Sequence, residues 1–134
     1  YGIHGVESLF TAMGTGCESV ARSKSEEGMI RVEGKWGGGR VGIFEERKGY
    51  GGIAKGEKGE KDIGTYPGYG PLVVEIGKYF DTGKIPVQPK ETLEIYAFME
   101  AADESKRQNG AEVTLESVMK KAEAEAKKRL ADIE

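Results

Sequence analysis

One cysteine, one histidine and one tryptophan are all that 134 residues hold of those three types. A lone Cys17 excludes an intrachain disulfide, and Cys17 with His4 cannot assemble the usual zinc ligand sets. No metal ligands are therefore assigned. No apolar run approaches the roughly 18 residues that suggest a membrane span, so no membrane partner is expected. The first residues show neither the basic nor the apolar region of a signal peptide, which leaves the cytoplasm as the default compartment. An excess of positive charge is also missing. The net charge is −3 and the basic residues are interleaved with acidic ones, which gives no field for nucleic acid. An initiator methionine is lacking too: the chain opens on Tyr1 and reads as processed, excised or a fragment.

What the chain does have is glycine, at 21 of 134 residues, about twice the usual level. With 37% hydrophobic and 32% charged residues the composition is that of a globular protein. A chain of this length buries roughly two thirds of the surface its unfolded form exposes, which is enough for a core.

The first half reads as strands, the second as helices. Val6, Leu9, Phe10 and Met13 follow helical spacing, and Gly14 stops the turn. Cys17 to Ser25 has room for a short strand. Met29 to Trp36 alternates, with Ile30, Val32 and Trp36 on one side and Arg31, Glu33 and Lys35 on the other. Gly37 to Gly39 makes a turn, and Arg40 to Arg47 returns antiparallel, carrying Val41, Ile43 and Phe44. One or two weaker strands are expected between Gly49 and Gly64.

Further on, Pro71 opens a helix striped with Leu72, Val73, Ile76, Tyr79 and Phe80, and Gly83 closes it. Ile85 to Val87 is extended because the residue before a proline is pushed out of the α region. A second helix from Pro89 presents Leu93, Tyr96, Met99 and Ala102, and ends at Asn109-Gly110. Thr114 caps a third, with Leu115, Val118, Met119, Ala122, Ala126 and Leu130 at helical spacing. The fold class expected is α+β, an open antiparallel β-sheet with helices packed on one face. No linker divides the chain, so residues 1–134 are read as one domain.

Gly37, Gly39 and Gly42 spell a G-x-G-x-x-G. A dinucleotide fingerprint needs that run between a strand and a helix, where phosphate meets the helix N-terminus. Here it runs into a strand, so it reads as a hairpin turn and no cofactor-binding residue is assigned. Lys55, Lys58 and Lys61 are matched by Glu57, Glu60 and Asp62, the pattern of a charged strand edge; a docking surface for an anionic substrate is the alternative. Tyr50, Tyr66 and Tyr69 either pack over a sheet edge or line a sugar pocket. His4 is the one side chain whose unperturbed pKa suits general acid–base work near neutrality. Glu7, three residues on, sits about one helical turn away and can orient the imidazole.

The run from Glu75 to Glu116 carries three spaced elements: Phe80, Gly83, Lys84, Pro86 and Val87; then Glu100, Ala101, Ala102 and Ser105; then Gly110 and Val113. In that order they resemble the end of the C-terminal domain of the Gfo/Idh/MocA oxidoreductases, the glucose–fructose oxidoreductase and inositol dehydrogenase family. His4 and Glu7 are similar to a family pattern of aspartate, histidine four residues later, and a further acid three beyond. The aspartate would fall one residue before Tyr1.

The resemblance implies a substrate-binding and oligomerisation domain of an NAD- or NADP-dependent enzyme acting on a sugar, polyol or related hydroxyl compound. It implies that His4 does acid–base chemistry on the substrate hydroxyl, and that Glu7, Arg47 and Tyr50 hold substrate. The Rossmann half, with its own G-x-G-x-x-G and an E-K-P lysine, would be supplied by a missing N-terminal domain. This chain alone is then expected to bind no cofactor and to be inactive. It also implies a homo-oligomer formed through the exposed sheet face of Arg31, Glu33 and Lys35. The alternative reading is a non-catalytic carbohydrate-binding or dimerisation module.

Overall fold

A computed structural model describes residues 2–49, 51–64 and 66–131. These form α1 (Gly2–Met13), β1 (Cys17–Lys24), β2 (Ile30–Trp36), β3 (Arg40–Glu45), β4 (Ile53–Gly56), β5 (Gly59–Asp62), α2 (Gly70–Thr82), α3 (Pro89–Arg107), β6 (Val113–Thr114) and α4 (Leu115–Ala131). The class is α+β, with an open, fully antiparallel sheet ordered β3-β2-β1-β6 and a separate β4-β5 pair. Where the sequence reads as one domain, the contacts gather the chain into two compact units. The first takes residues up to Glu46 and from Lys90 onward; the second is Arg47–Pro89.

In the first unit the alternation of β2 sets the core. Val32, Gly34 and Trp36 are buried on one side, while Lys35 is exposed on the other. Register then carries the pattern across the sheet: Val20 lies opposite Gly34, and Gly34 opposite Gly42. On β3 the inward residues are therefore Gly42 and Phe44, and Val41 and Ile43 stand 49% and 42% exposed on the open face. Gly34 and Gly42 have to be small. A Cβ on Gly34 would lie 2.7 Å from both the Phe98 and the Trp36 rings, and one on Gly42 would lie 2.8 Å from Trp36.

Onto this glycine pair settle three rings. Phe10 meets Trp36 at 5.6 Å and Phe98 at 5.8 Å between centroids, both edge-on, and Trp36 lies 6.2 Å from Phe98. Edge-to-face geometry sets the positive rim of one ring against the negative face of the next. The indole N–H of Trp36 donates to the carbonyl of Gly14 at 3.0 Å, so the buried ring leaves no donor unsatisfied.

The second predicted helix exists as α3, but its phase differs. Leu93 and Tyr96 are 55% and 57% exposed, whereas Ile95, Ala97, Phe98, Ala101, Ala102 and Ser105 are buried. The buried side is Phe98 with small neighbours, Ala97, Ala101, Ala102 and Ser105, and Phe98 packs against the Trp36 and Phe10 rings. Ser105 is fully buried and its hydroxyl accepts the Arg22 N–H at 2.9 Å. The cap at Thr114 is as expected: its hydroxyl accepts the Ser117 N–H at 3.3 Å. Only Leu115 and Val118 of α4 are buried, and the residues from Ala122 to Ala131 are exposed.

In the second unit β4 and β5 form a hairpin, Gly56 opposite Gly59, turning over Glu57-Lys58. The paired charges predicted here are seen in Lys55 and Glu60, 2.8 Å apart. The helix opening near Pro71 is α2, closed by Gly83 in the left-handed conformation (φ 67°), whose N–H donates to Tyr79. Its apolar stripe is not buried: Leu72, Val73, Ile76, Tyr79 and Phe80 are all exposed. Thirteen helical residues and one short hairpin cannot enclose a core by themselves.

Candidate functional site

Helix α1 is two-sided. Val6 and Phe10 are buried and Ile3, Leu9 and Met13 partly so, all at helical spacing, which fixes the rotation of the helix about its axis. That rotation turns His4, Glu7, Ser8 and Thr11 outward. Ser8 and Thr11 return their hydroxyls to the carbonyls of His4 and Glu7, both at 2.9 Å, so they do not compete for the imidazole.

His4 and Glu7 meet. Nδ1 of the imidazole lies 3.1 Å from Oε2 of Glu7, with the two side chains 53% and 51% exposed. A carboxylate only accepts, so in the neutral ring this contact places the proton on Nδ1 and the lone pair on Nε2. That is the arrangement of a histidine base steadied by an acid, and the i,i+3 spacing seen in the sequence suffices to produce it. Arg47 is exposed in the irregular segment after β3 and belongs to the second unit. Tyr50 lies outside the described residues. Tyr66 and Tyr69 stack edge-on at 5.8 Å within the second unit.

The glycine run at Gly37, Gly39 and Gly42 occupies a short 3-10 turn and the start of β3. It is a hairpin connection with no helix N-terminus after it, so these residues do not fit the pyrophosphate of a dinucleotide. Among the described residues no group of three or more His, Cys, Asp or Glu side chains could hold a metal ion. Nor is any helix there long and apolar enough to cross a membrane.

No family model, curated protein or solved structure matches the chain.

A feature absent from the sequence reading is Glu94. From α3 its Oε1 accepts the N–H groups of Gly16 at 2.5 Å and Cys17 at 2.7 Å, pinning the turn that leads into β1. The signal was an acid on the same helical face as Ile95 and Phe98, where a carboxylate needs a stated partner. Beside it a groove of about 420 Å³ runs between α3 and α4, walled by Leu93, Ala97, Leu115 and Met119, with Lys90 and Glu116 at the rim.

Cys17 lies on the floor of this groove, and burial, then the Glu94 carboxylate, push its thiol up to about 12. A thiol is nucleophilic as thiolate, so Cys17 is chemically quiet in the native protein. Disulfide reagents at pH 8 should modify it only at the rate of unfolding; fast modification of the folded chain would contradict the burial. Between the ordinary value of 9.0 and about 12 the unfolded chain loses a proton that the folded one keeps. Cys17 therefore lowers stability as pH rises through that window.

The open face of the sheet carries Arg31, 2.9 Å from Glu45, and Lys35, 2.6 Å from Glu112, which also accepts the Ser19 hydroxyl. The Lys35 ammonium, with the Ser19 hydroxyl, holds the Glu112 carboxyl below the usual carboxylate range.

Proposed function

We propose that this chain is the C-terminal, substrate-binding and oligomerisation domain of an NAD(P)-dependent oxidoreductase acting on a sugar, polyol or related hydroxyl compound. The observation that carries the reading is the His4–Glu7 pair, a histidine with its Nδ1 held by a carboxylate at 3.1 Å. The order of Phe80, Gly83, Pro86, Ala101, Ala102, Gly110 and Val113 along the chain, which resembles the Gfo/Idh/MocA domain end, supports it. So does the α+β class with its open antiparallel sheet.

On this reading His4 takes the proton of the substrate hydroxyl through Nε2 while Glu7 stabilises the imidazolium that forms. Glu7 then acts as a positioning residue. Arg47 and Tyr50 are the proposed substrate contacts. Hydride chemistry belongs to a nicotinamide cofactor bound by an upstream nucleotide-binding domain. The test is direct: the coding sequence upstream of Tyr1 should encode a βαβ unit with G-x-G-x-x-G and then an E-K-P segment. Any other upstream sequence removes the proposal.

A second reading is a dimerisation module without chemistry. It is favoured by the open sheet face, where exposed Val41 and Ile43 stand beside Arg31–Glu45 and Lys35–Glu112. Light scattering across concentration separates a sheet-mediated dimer from a strict monomer.

A further inference from the structure

A second cleft, about 330 Å³, opens in the first unit where β1 ends and α3 runs out. Its lining carries three cations, Arg22 and Lys24 from β1 and Lys106 from the last turn of α3, and no carboxylate. Ser23 contributes from the strand between Arg22 and Lys24, Asn109 stands at the helix end, and Gly28 of the β1–β2 turn closes one side. Neither Glu26 nor Glu27 of that turn is part of the lining.

The charge balance is uneven. Arg22 has one ion pair, Nη1 to Asp103 at 2.6 Å, with its side chain only 17% exposed. Its Nε and Nη2 have no hydrogen-bond partner among the described residues. Three positive side chains thus face one carboxylate, and the C-terminal end of α3 adds only about half a negative charge. The cleft keeps a net positive charge in a concave, partly desolvated setting, where a bound anion gains more than on an open surface.

The backbone around it is fixed. Ser105, fully buried, accepts the Arg22 N–H through its hydroxyl and the Gly110 N–H through its carbonyl at 2.8 Å. Asn109 and Gly110 are both left-handed, at φ 55° and 90°, and a Cβ on Gly110 would lie 3.1 Å from the Arg22 carbonyl. Strand and helix end are locked together through this turn, so the backbone that carries Arg22 and Asn109 is fixed before any ligand arrives. The asparagine accepts the left-handed conformation more readily than most residues.

We propose that this cleft binds a phosphate group, free or as the monoester of a small molecule. Arg22 offers the planar pair of donors that suits two oxygens, Lys24 from the strand and Lys106 from the helix supply point charges, and Asn109 adds an amide. The volume is near the lower end for small-molecule sites, roughly 300–1,000 Å³, so the molecule behind the phosphate is small. The inference is independent of any role for His4.

Backbone amide NMR of the 134-residue chain tests it. Inorganic phosphate and, separately, a hexose monophosphate are titrated at constant ionic strength against sodium chloride. Saturable shifts confined to Ser23, Lys24, Asn109 and Gly110 are expected. Saturation by both ligands assigns the site to the phosphate group; saturation by the ester alone assigns it to an esterified ligand. The double variant Lys24→Gln, Lys106→Gln should weaken binding roughly tenfold or more. Both lysines are exposed, so the remaining spectrum reports that the fold survives. Linear shifts, shifts reproduced by chloride, or an unchanged affinity in the double variant would overturn the site.

Discussion

Replacing His4 with alanine, in the protein joined to the nucleotide-binding half proposed to precede it, is expected to lower kcat about 10²- to 10⁴-fold. The magnitude is what a positioned general base supplies when its protonation state matches the operating pH. The fall should appear in kcat and kcat/KM together, since proton transfer develops only in the transition state. Stability serves as the control. His4 lies on the outward face of α1 with half its side chain exposed, and a substitution there should change folding free energy by about 0.5 kcal/mol or less. Glu7→Gln should give a smaller loss and alter the pH profile, because the amide oxygen can still accept from Nδ1 without stabilising the imidazolium. Wild-type turnover in the His4 variant would end the catalytic assignment.

Phe98→Ala should destabilise the chain by about 3–5 kcal/mol, the range for truncating a buried phenylalanine. Phe98 is 1% exposed and contributes one of the three rings that interlock over the glycine pair. Its loss removes transfer energy and two aromatic contacts, and leaves a void bounded by Trp36 and Phe10. Those neighbours cannot collapse into it, since Trp36 is tethered to the Gly14 carbonyl. Against a total stability of about 5–15 kcal/mol for a domain, this is a large share. Denaturant midpoints with the slope unchanged would read it. A change below about 1.5 kcal/mol, the cost of a tolerated hydrophobic swap, would mean that the ring is not central. Gly34→Ala approaches the same spot from the opposite direction, by overfilling.

Much of this was legible in the residues. The alternation of β2, the stop at Gly14, the glycine at Gly83 and the cap at Thr114 each follow from local chemistry, and the structure places them as expected. The His4–Glu7 contact was readable because both residues lie within one helical turn. The phase of α3 was not. Large apolar residues draw attention to Leu93 and Tyr96, yet the buried side is the one that sets Phe98 against Trp36 and Phe10, a tertiary match with no local signature. Glu94 was hidden for the same reason, as its partners at Gly16 and Cys17 are distant in the chain. The cleft at Arg22, Lys24 and Lys106 joins a strand to a helix end far along the sequence, so no spacing announces it.

The order of the two units along the chain bears on tolerance to changes in length. The first unit is discontinuous: its sheet starts before Glu46, its α3 and α4 follow Lys90, and the second unit is an insertion between them. Closing a loop costs free energy only as the logarithm of its length, about 0.6 kcal/mol per doubling. The inserted segment can therefore lengthen, shorten or diverge at little cost to the three-ring core. The strands and α3 stay bound by their packing whatever the length of chain between them.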